Sequence, residues 1–175
     1  EELGPSSWNG KDYHWEETDR TEWARARLQE LLGGVSADVG KKKGTVRVGR
    51  VGADGFLAVN VRKGKMKTFF ELTVTVHWVG TLEDKRFGTT TVRGSAATRE
   101  LTHEDATGLH VAPGGVEEMW VGKLATCGVE QASQQEDMDR ILRQQRLLEK
   151  VWAKKCVPAV KAKLREFMEE VRVKA

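Results

Sequence analysis

Cysteine, proline and long apolar runs are scarce in this sequence. Two cysteines, Cys127 and Cys156, and three prolines occur in 175 residues. Two widely spaced cysteines offer no paired metal-ligand spacing and suit a reducing compartment, although a disulfide between them stays open. No apolar stretch approaches the length that spans a bilayer, and no secretory signal heads the chain. We therefore expect a cytoplasmic protein without a membrane partner.

The sequence also lacks a large excess of charge of either sign. Lys and Arg total 29 against 26 Asp and Glu, which leaves a net charge of +3. So small an excess is not a general nucleic-acid signature, and any basic function has to come from local clusters. Charged residues form 31% and apolar residues 39% of the chain, which is the composition of a globular domain with one core.

Catalytic motifs are absent as well. The sequence has no Gly-rich phosphate loop with its lysine, no dinucleotide fingerprint and no nucleophile elbow. Its four histidines are scattered. The seven-residue spacing of His103 and His110, beside Glu104 and Asp105, is a weak metal pattern without a helix or strand to carry it. We predict that the chain is not an enzyme and holds neither a cofactor nor a metal ion.

What the sequence does contain is a clear strand pattern. Leu72, Val74, Val76 and Trp78 fall on one face of residues 71–78, and Glu71, Thr73, Thr75 and His77 fall on the other. This period of two predicts a half-buried strand that ends at Gly80. Further strands are predicted over residues 45–51, 56–61 and 87–93, with turns over 52–55 and 83–85. A last strand is predicted over 116–124.

Helical patterns stand at both ends of these strands. The first helix is predicted to open at Asp19, with Glu22 as its capping-box partner, and to stop at Gly33 and Gly34. The second begins at about residue 136 and passes Pro158, where we expect a kink or two consecutive helices. It is expected to cover the apolar face of the sheet. The predicted class is α+β: an elongated four-stranded antiparallel meander sheet with an N-terminal helix and a long C-terminal helix.

A cationic turn joins two of the predicted strands. Arg62, Lys63, Gly64 and Lys65 separate the strand patterns, and Lys67 follows closely. Gly64 supplies the positive φ that such a turn usually demands. Cations at the tip of a stiff hairpin are suited to an acidic surface, where charge complementarity speeds encounter and sets the register.

A dense aromatic segment precedes the first helix. Trp8, Tyr13 and Trp15 lie within eight residues beside His14, after a loose leader over residues 1–7. Aromatic side chains at this density need burial. Two interpretations stay open: the segment pins the N-terminus onto the body of the domain, or it binds a partner.

In this order, the aromatic segment, the capped helix and the basic turn resemble the N-terminal domain of the activators of heat shock protein 90 ATPase. The family's turn motif is met fully by Arg62, Lys63, Gly64 and Lys65. Its N-terminal motif, Asn-x-Asn-Asn-Trp-His-Trp, is met by Asn9, His14 and Trp15, whereas Lys11, Asp12 and Tyr13 depart from it.

The resemblance implies a monomeric co-chaperone of protein folding and the stress response. Its partner would be heat shock protein 90, bound on the middle domain with the N-terminal domain as a further candidate, and its effect would be to stimulate that protein's ATPase. The implied partner-binding residues are Arg62, Lys63, Gly64, Lys65, Lys67, Asn9, His14 and Trp15. Residues 1–175 would form a single co-chaperone N-terminal domain, and a C-terminal domain of the full protein is expected to be absent.

Two alternatives stay open. One is a nucleic-acid-binding module that uses Lys41-Lys42-Lys43, Arg62-Lys63 and the basic C-terminal helix, with aromatic side chains for stacking; its affinity for single strands would fall steeply with salt. The small net charge counts against it. The other is a scaffold that regulates an unrelated client enzyme, and no sequence feature separates that from the co-chaperone.

Overall fold

A computed structural model of the chain describes residues 16–40, 43–62, 65–85, 88–103, 120–121 and 135–173. It shows an antiparallel sheet with a helix from each end of the chain, so the predicted α+β class is confirmed. The strands are β1 (Glu16–Asp19), β2 (Ser36–Asp38), β3 (Gly44–Arg62), β4 (Lys65–Asp84), β5 (Gly88–Thr98), β6 (Leu101–Thr102) and β7 (Trp120–Val121). The helices are α1 (Thr21–Gly33), α2 (Gln135–Val151) and α3 (Val157–Val173). Within these ranges no helix is long and apolar enough to cross a membrane.

The centre of the sheet is one long hairpin. Strands β3 and β4 contain 19 and 20 residues, and a strand of this length runs for roughly 60 Å. The predicted turn over residues 52–55 is wrong, because β3 stays paired with β4 across it, with Ala53 opposite Val74 and Gly55 opposite Leu72. The two strands predicted over 45–51 and 56–61 are therefore one strand.

The apolar alternation explains why the chain does not turn at Asp54 and Gly55. It continues from Val51 through Ala53 to Leu57, so one face of β3 stays on the core across residues 52–55. Gly55 has a φ of 115°, and a Cβ at this position would lie 1.9 Å from the carbonyl oxygen of Glu71. The glycine therefore serves close strand pairing rather than a turn.

The two faces of β4 behave as the alternation predicts. Leu72, Val74, Val76 and Trp78 are at most 1% exposed, whereas Glu71 and His77 are exposed and Thr73 and Thr75 are half-buried. The strand runs past Gly80 to Asp84, which pairs with Gly88. The predicted turn over 83–85 thus begins too early, and β5 extends five residues beyond the predicted strand. Of the strand predicted over 116–124, only Trp120–Val121 lies within the described residues, paired with β5.

Two short strands on β3 have no clear sequence signal. Strand β1 pairs with Ala58 through Val61 at one end of β3, and β2 pairs with Thr45 through Arg47 at the other. The sequence of β1 is Glu-Glu-Thr-Asp, which lacks apolar alternation because an edge strand needs no buried face of its own.

Helix α1 begins at Thr21 rather than at Asp19, which ends β1. Asp19 Oδ1 accepts a hydrogen bond of 2.8 Å from the Thr21 backbone N–H. The hydrogen bonds from Thr21 lower the pKa of the Asp19 carboxyl below its ordinary value. Asp19 therefore contacts the first turn from two residues before it, but the predicted capping box is wrong, because Arg20 is the N-cap residue and Glu22 pairs with Arg25. The predicted end at Gly33 and Gly34 is confirmed.

The C-terminal helical region is interrupted next to Pro158, as predicted. Residues Trp152–Cys156 form one π-helical turn between α2 and α3, in which the Val157 N–H donates to the carbonyl oxygen of Trp152. Buried side chains recur here every four residues, at Leu148, Trp152, Cys156, Val160 and Leu164. In an α-helix this spacing drifts by about 40° per step. The wider π turn offsets part of that drift and keeps the stripe on the sheet.

Both terminal helices cover the same apolar face of the sheet. Trp152 stacks on Trp78, with ring centroids 5.2 Å apart and an angle of 12° between the planes. Trp23 of α1 stacks on Phe167 of α3 at 6.1 Å. The prediction that the C-terminal helix covers the sheet is confirmed.

An ion pair between the terminal helices strengthens this arrangement. The Arg27 guanidinium donates to both carboxylate oxygens of Glu170, at 2.8 and 2.5 Å. With Glu30 as a further acceptor, this pair raises the pKa of Arg27 above its ordinary value. A bidentate arginine–carboxylate pair fixes geometry as well as distance, so α1 and α3 are held as one unit.

Candidate functional site

The predicted hairpin turn is where the sequence places it. Strands β3 and β4 remain paired up to Arg62 opposite Lys65, which leaves two residues to connect them. Lys63 and Gly64, like the side chain of Arg62, lie outside the described residues. Because the strands keep one register from Arg50 opposite His77 up to the tip, the connection stands at the end of a paired two-stranded support.

The cations after the turn share one face of the hairpin. Lys65 and Lys67 are exposed and stand opposite Arg62 and Asn60 in the register. Neither lysine forms an ion pair with another described residue. As far as the described residues are concerned, both ammonium groups are therefore open to an external anionic group.

Apolar side chains continue the same face toward the middle of the sheet. Phe69 follows Lys67 by two residues, and its ring lies 5.3 Å from that of His103 at an angle of 59°. Phe56 pairs with Glu71 and is 45% exposed. We call Lys65, Lys67, Phe69, Phe56 and His103 the tip surface. It combines two exposed lysines with the exposed ring of Phe56 and the half-buried rings of Phe69 and His103, and aromatic residues are enriched at binding surfaces.

The site residues predicted from the sequence do not include the aromatic members of the tip surface. The signal was present, because Phe69 is an even number of residues from both Lys67 and Glu71 and must therefore share their face. His103, raised as a weak metal candidate with His110, instead packs on Phe69, while His110 lies outside the described residues. Among the residues that the structure describes, no group of three or more His, Cys, Asp or Glu side chains is placed to hold a metal ion.

The N-terminal site candidates Asn9, His14 and Trp15 lie outside the described residues. The next residue, Glu16, pairs with Val61, which is one residue from Arg62. Strand β1 therefore brings the chain that follows the aromatic segment to the hairpin tip. The described end of β1 and the basic turn therefore lie in the same region of the sheet.

The two lysine-rich loops lie far apart. Lys43 precedes Gly44, which pairs with Leu82 at the base of the hairpin, whereas Lys65 stands at its tip. The two positions are separated by roughly 60 Å along the strand. Lys41 and Lys42 lie outside the described residues. Trp78 and Trp152 are only 1% exposed, so neither presents a stacking surface, and the arrangement does not favour a continuous nucleic-acid track.

These features define an α+β protein that presents an exposed cationic hairpin from a helix-covered sheet. A protein-family model described as "Activator of Hsp90 ATPase, N-terminal" matches residues 17–113, more than half of the chain. The chain belongs to that family, and the predicted resemblance is confirmed.

Relatives with curated names agree with the family match. The chain is similar to mouse activator of 90 kDa heat shock protein ATPase homolog 2, with 31% identity over 77 residues, which cover 43% of this chain and 23% of that protein. It is also similar to the human homolog 1, with 34% identity over 74 residues, covering 42% and 21% respectively. The aligned regions thus span about a quarter or less of these relatives.

A solved structure shares the fold. The crystal structure of Aha-1 from Plasmodium falciparum matches with a TM-score of 0.52 over 90% of this chain and 88% of that one. The sequence identity is 18%, so this likeness concerns the fold alone.

Proposed function

We propose that this chain is a co-chaperone that binds heat shock protein 90 on its middle domain and stimulates the ATPase of that protein, without being an ATPase itself. Family membership supports the activator class, since the matching relatives are named as activators of heat shock protein ATPase. The structural observation that carries the proposal is the position of Lys65 and Lys67. They are exposed, form no ion pair with other described residues, and lie on one face of the hairpin, whose register is continuous from Arg50 to the tip.

The proposed contacts are the cations of the turn and the segment beside it. Arg62, Lys63, Lys65 and Lys67 would meet an acidic surface, with Gly64 setting the turn. Asn9, His14 and Trp15 would act next to them, because the residue that follows Trp15, Glu16, pairs with Val61 beside the hairpin tip. The N-terminal domain of heat shock protein 90 is a further contact in this proposal.

Stimulation has a thermodynamic requirement. The chain has to bind the ATPase-active arrangement of its partner more tightly than the inactive ones, since equal affinity for both shifts no population. A paired hairpin suits this role, because its backbone is already ordered before the cations engage a matching acidic surface.

The test is the steady-state ATPase rate of heat shock protein 90 with the wild-type chain and two triple variants. The tip variant is Arg62→Ala/Lys63→Ala/Lys65→Ala. The control is Arg47→Ala/Arg50→Ala/Arg93→Ala, which removes three exposed cations from the same face of the sheet far from the tip. Both variants change the net charge equally, so a difference in stimulation between them reports the position of the cations.

We expect stimulation by the wild type and the control, and at least a roughly tenfold loss of it in the tip variant, as for charged contacts worth more than about 1.4 kcal/mol together. Equal losses in both variants would show a net-charge effect and contradict the assigned site. Absence of stimulation and of complex formation at low salt would contradict the proposed function itself.

A further inference from the structure

A pocket of about 170 Å³ lies beside the hairpin tip, on the face away from Lys65 and Lys67. Its walls come from three elements: Val59 and Met66 from the hairpin, Arg20 and Trp23 from the start of α1, and Val171 from α3. The register places Val61 and Met66 opposite each other, one residue out of phase with the cations. The pocket is therefore a surface distinct from the tip surface.

The walls of this pocket are held in place by contacts outside it. The Arg20 backbone N–H donates to the carbonyl oxygen of Leu57 at 2.8 Å, which fixes the start of α1 against β3. The Trp23 ring stacks on Phe167, and Arg27 is paired with Glu170 one turn further along. A cavity with braced walls binds without first having to order them.

The size of the pocket selects a single side chain. Sites for drug-sized ligands usually measure about 300–1,000 Å³, whereas an apolar cavity of about 150 Å³ accepts one benzene molecule. The lining is mostly aliphatic and aromatic, and Met66 at its edge is 53% exposed. Covering that side chain would remove apolar area from water, which favours an apolar occupant.

The positive charge beside the pocket favours acidic residues next to the side chain that the pocket binds. Arg20 lines the pocket, is exposed, and forms no ion pair with another described residue. Lys65 and Lys67 stand on either side of Met66 in the chain, with their side chains on the opposite face. A carboxylate within one or two residues of the buried side chain would meet Arg20.

We propose that this pocket binds one Phe or Leu side chain of a partner polypeptide, from a segment in which acidic residues flank it. This proposal concerns a second face of the hairpin and does not depend on stimulation of an ATPase.

The test uses the full chain with ¹³C-labelled methionine methyl groups, the Met66 signal being assigned with Met66→Leu. The probe is the synthetic peptide acetyl-Glu-Glu-Phe-Glu-Glu-amide. We expect the Met66 signal to shift saturably, with a Kd in about the millimolar range. Replacing the phenylalanine of the peptide by alanine, or its glutamates by lysines, is expected to remove the saturable shift.

Variants of the protein locate the binding. Val59→Phe fills the pocket and is expected to abolish the response. If Val59→Phe does not fold, Thr68→Met is used instead, because it fills the same space. Arg20→Gln is expected to weaken binding about three- to fivefold. Its matched control, Arg50→Gln, lies far along the hairpin and is expected to bind as the wild type does.

Several outcomes would overturn the proposal. An unchanged response in both pocket-filling variants, or equal binding of the lysine peptide, would show that the pocket or its charge is not used. Saturable binding of 3-phenylpropionate without binding of the peptide would indicate a small-molecule site. A dimer in sedimentation that Val59→Phe abolishes would make a second copy of the chain the occupant.

Discussion

Gly55 shows how one residue sustains the long hairpin. Its φ of 115° and the 1.9 Å that would separate a Cβ from the Glu71 oxygen leave no room for a side chain. We expect Gly55→Ala to lower the free energy of unfolding by roughly 2–3 kcal/mol in urea titrations. Gly52→Ala is the matched control, since its nearest neighbour lies at 3.9 Å, and should change stability by less than about 1 kcal/mol. Equal losses would contradict the strand pairing at Gly55.

Cys156 offers a test of burial through pH. Its side chain is fully buried, with Sγ 3.8 Å from the carbonyl oxygen of Val46, and this burial raises the pKa of the thiol. The folded state therefore keeps the proton to higher pH than the unfolded state, so stability falls as pH rises above the unfolded thiol pKa of about 8.5–9.

The measurement compares the free energy of unfolding of the wild type and Cys156→Ala from about pH 7 to pH 10.5. Below about pH 8 the difference between them should stay constant. At higher pH the wild type should lose stability relative to the variant. A difference that does not change with pH would show that the thiol ionises equally in both states.

At the scale of elements, the π turn between α2 and α3 leads us to predict where the chain tolerates the deletion of one residue. Deleting the exposed Ala153 removes the additional residue of the π turn, and the buried stripe then fits an uninterrupted α-helix. We expect this deletion to cost no more than about 2 kcal/mol in unfolding free energy.

Deleting the exposed Ala162 within α3 rotates all later residues by about 100°. The Ala162 deletion moves Leu164, Phe167 and Val171 off the core and should cost at least about 3 kcal/mol, or abolish folding. Thermal and urea unfolding of the two deletion variants check this contrast. If the Ala153 deletion is as damaging as the Ala162 deletion, the π turn has a role beyond phasing the buried stripe.

At the scale of the whole molecule, the proposed partner binding depends on where the charges stand. With a net charge of only +3, long-range attraction has to come from a local cluster of cations, which in this proposal is the hairpin tip. We expect the association rate with heat shock protein 90 to fall severalfold between about 50 and 300 mM salt. Stopped-flow measurements should show a weaker salt dependence for the tip variant and an unchanged one for the Arg47/Arg50/Arg93 control. A dependence shared by all three would contradict steering by the tip.

The sequence predicted the parts of the site that depend on neighbouring residues. The turn between Arg62 and Lys65 and the shared face of Lys65 and Lys67 follow from strand periodicity and a glycine. The approach of His103 to Phe69 does not, because it requires β6 to pair with β4 beside Glu71. The pocket is beyond sequence reasoning for the same reason: Arg20, Met66 and Val171 are brought together only when both terminal helices dock on the sheet.

By itself, the sequence determined the α+β class, the two faces of β4, the end of α1 at Gly33 and the break beside Pro158. Each of these depends on periodicity or on the dihedral limits of one residue, which act over a few positions. Only the tertiary structure decided that residues 52–55 continue a strand, that acidic β1 pairs at the edge, and that α1, α3 and the hairpin line one pocket. These outcomes depend on the free energy of pairing and burial between distant segments, which local preference does not contain.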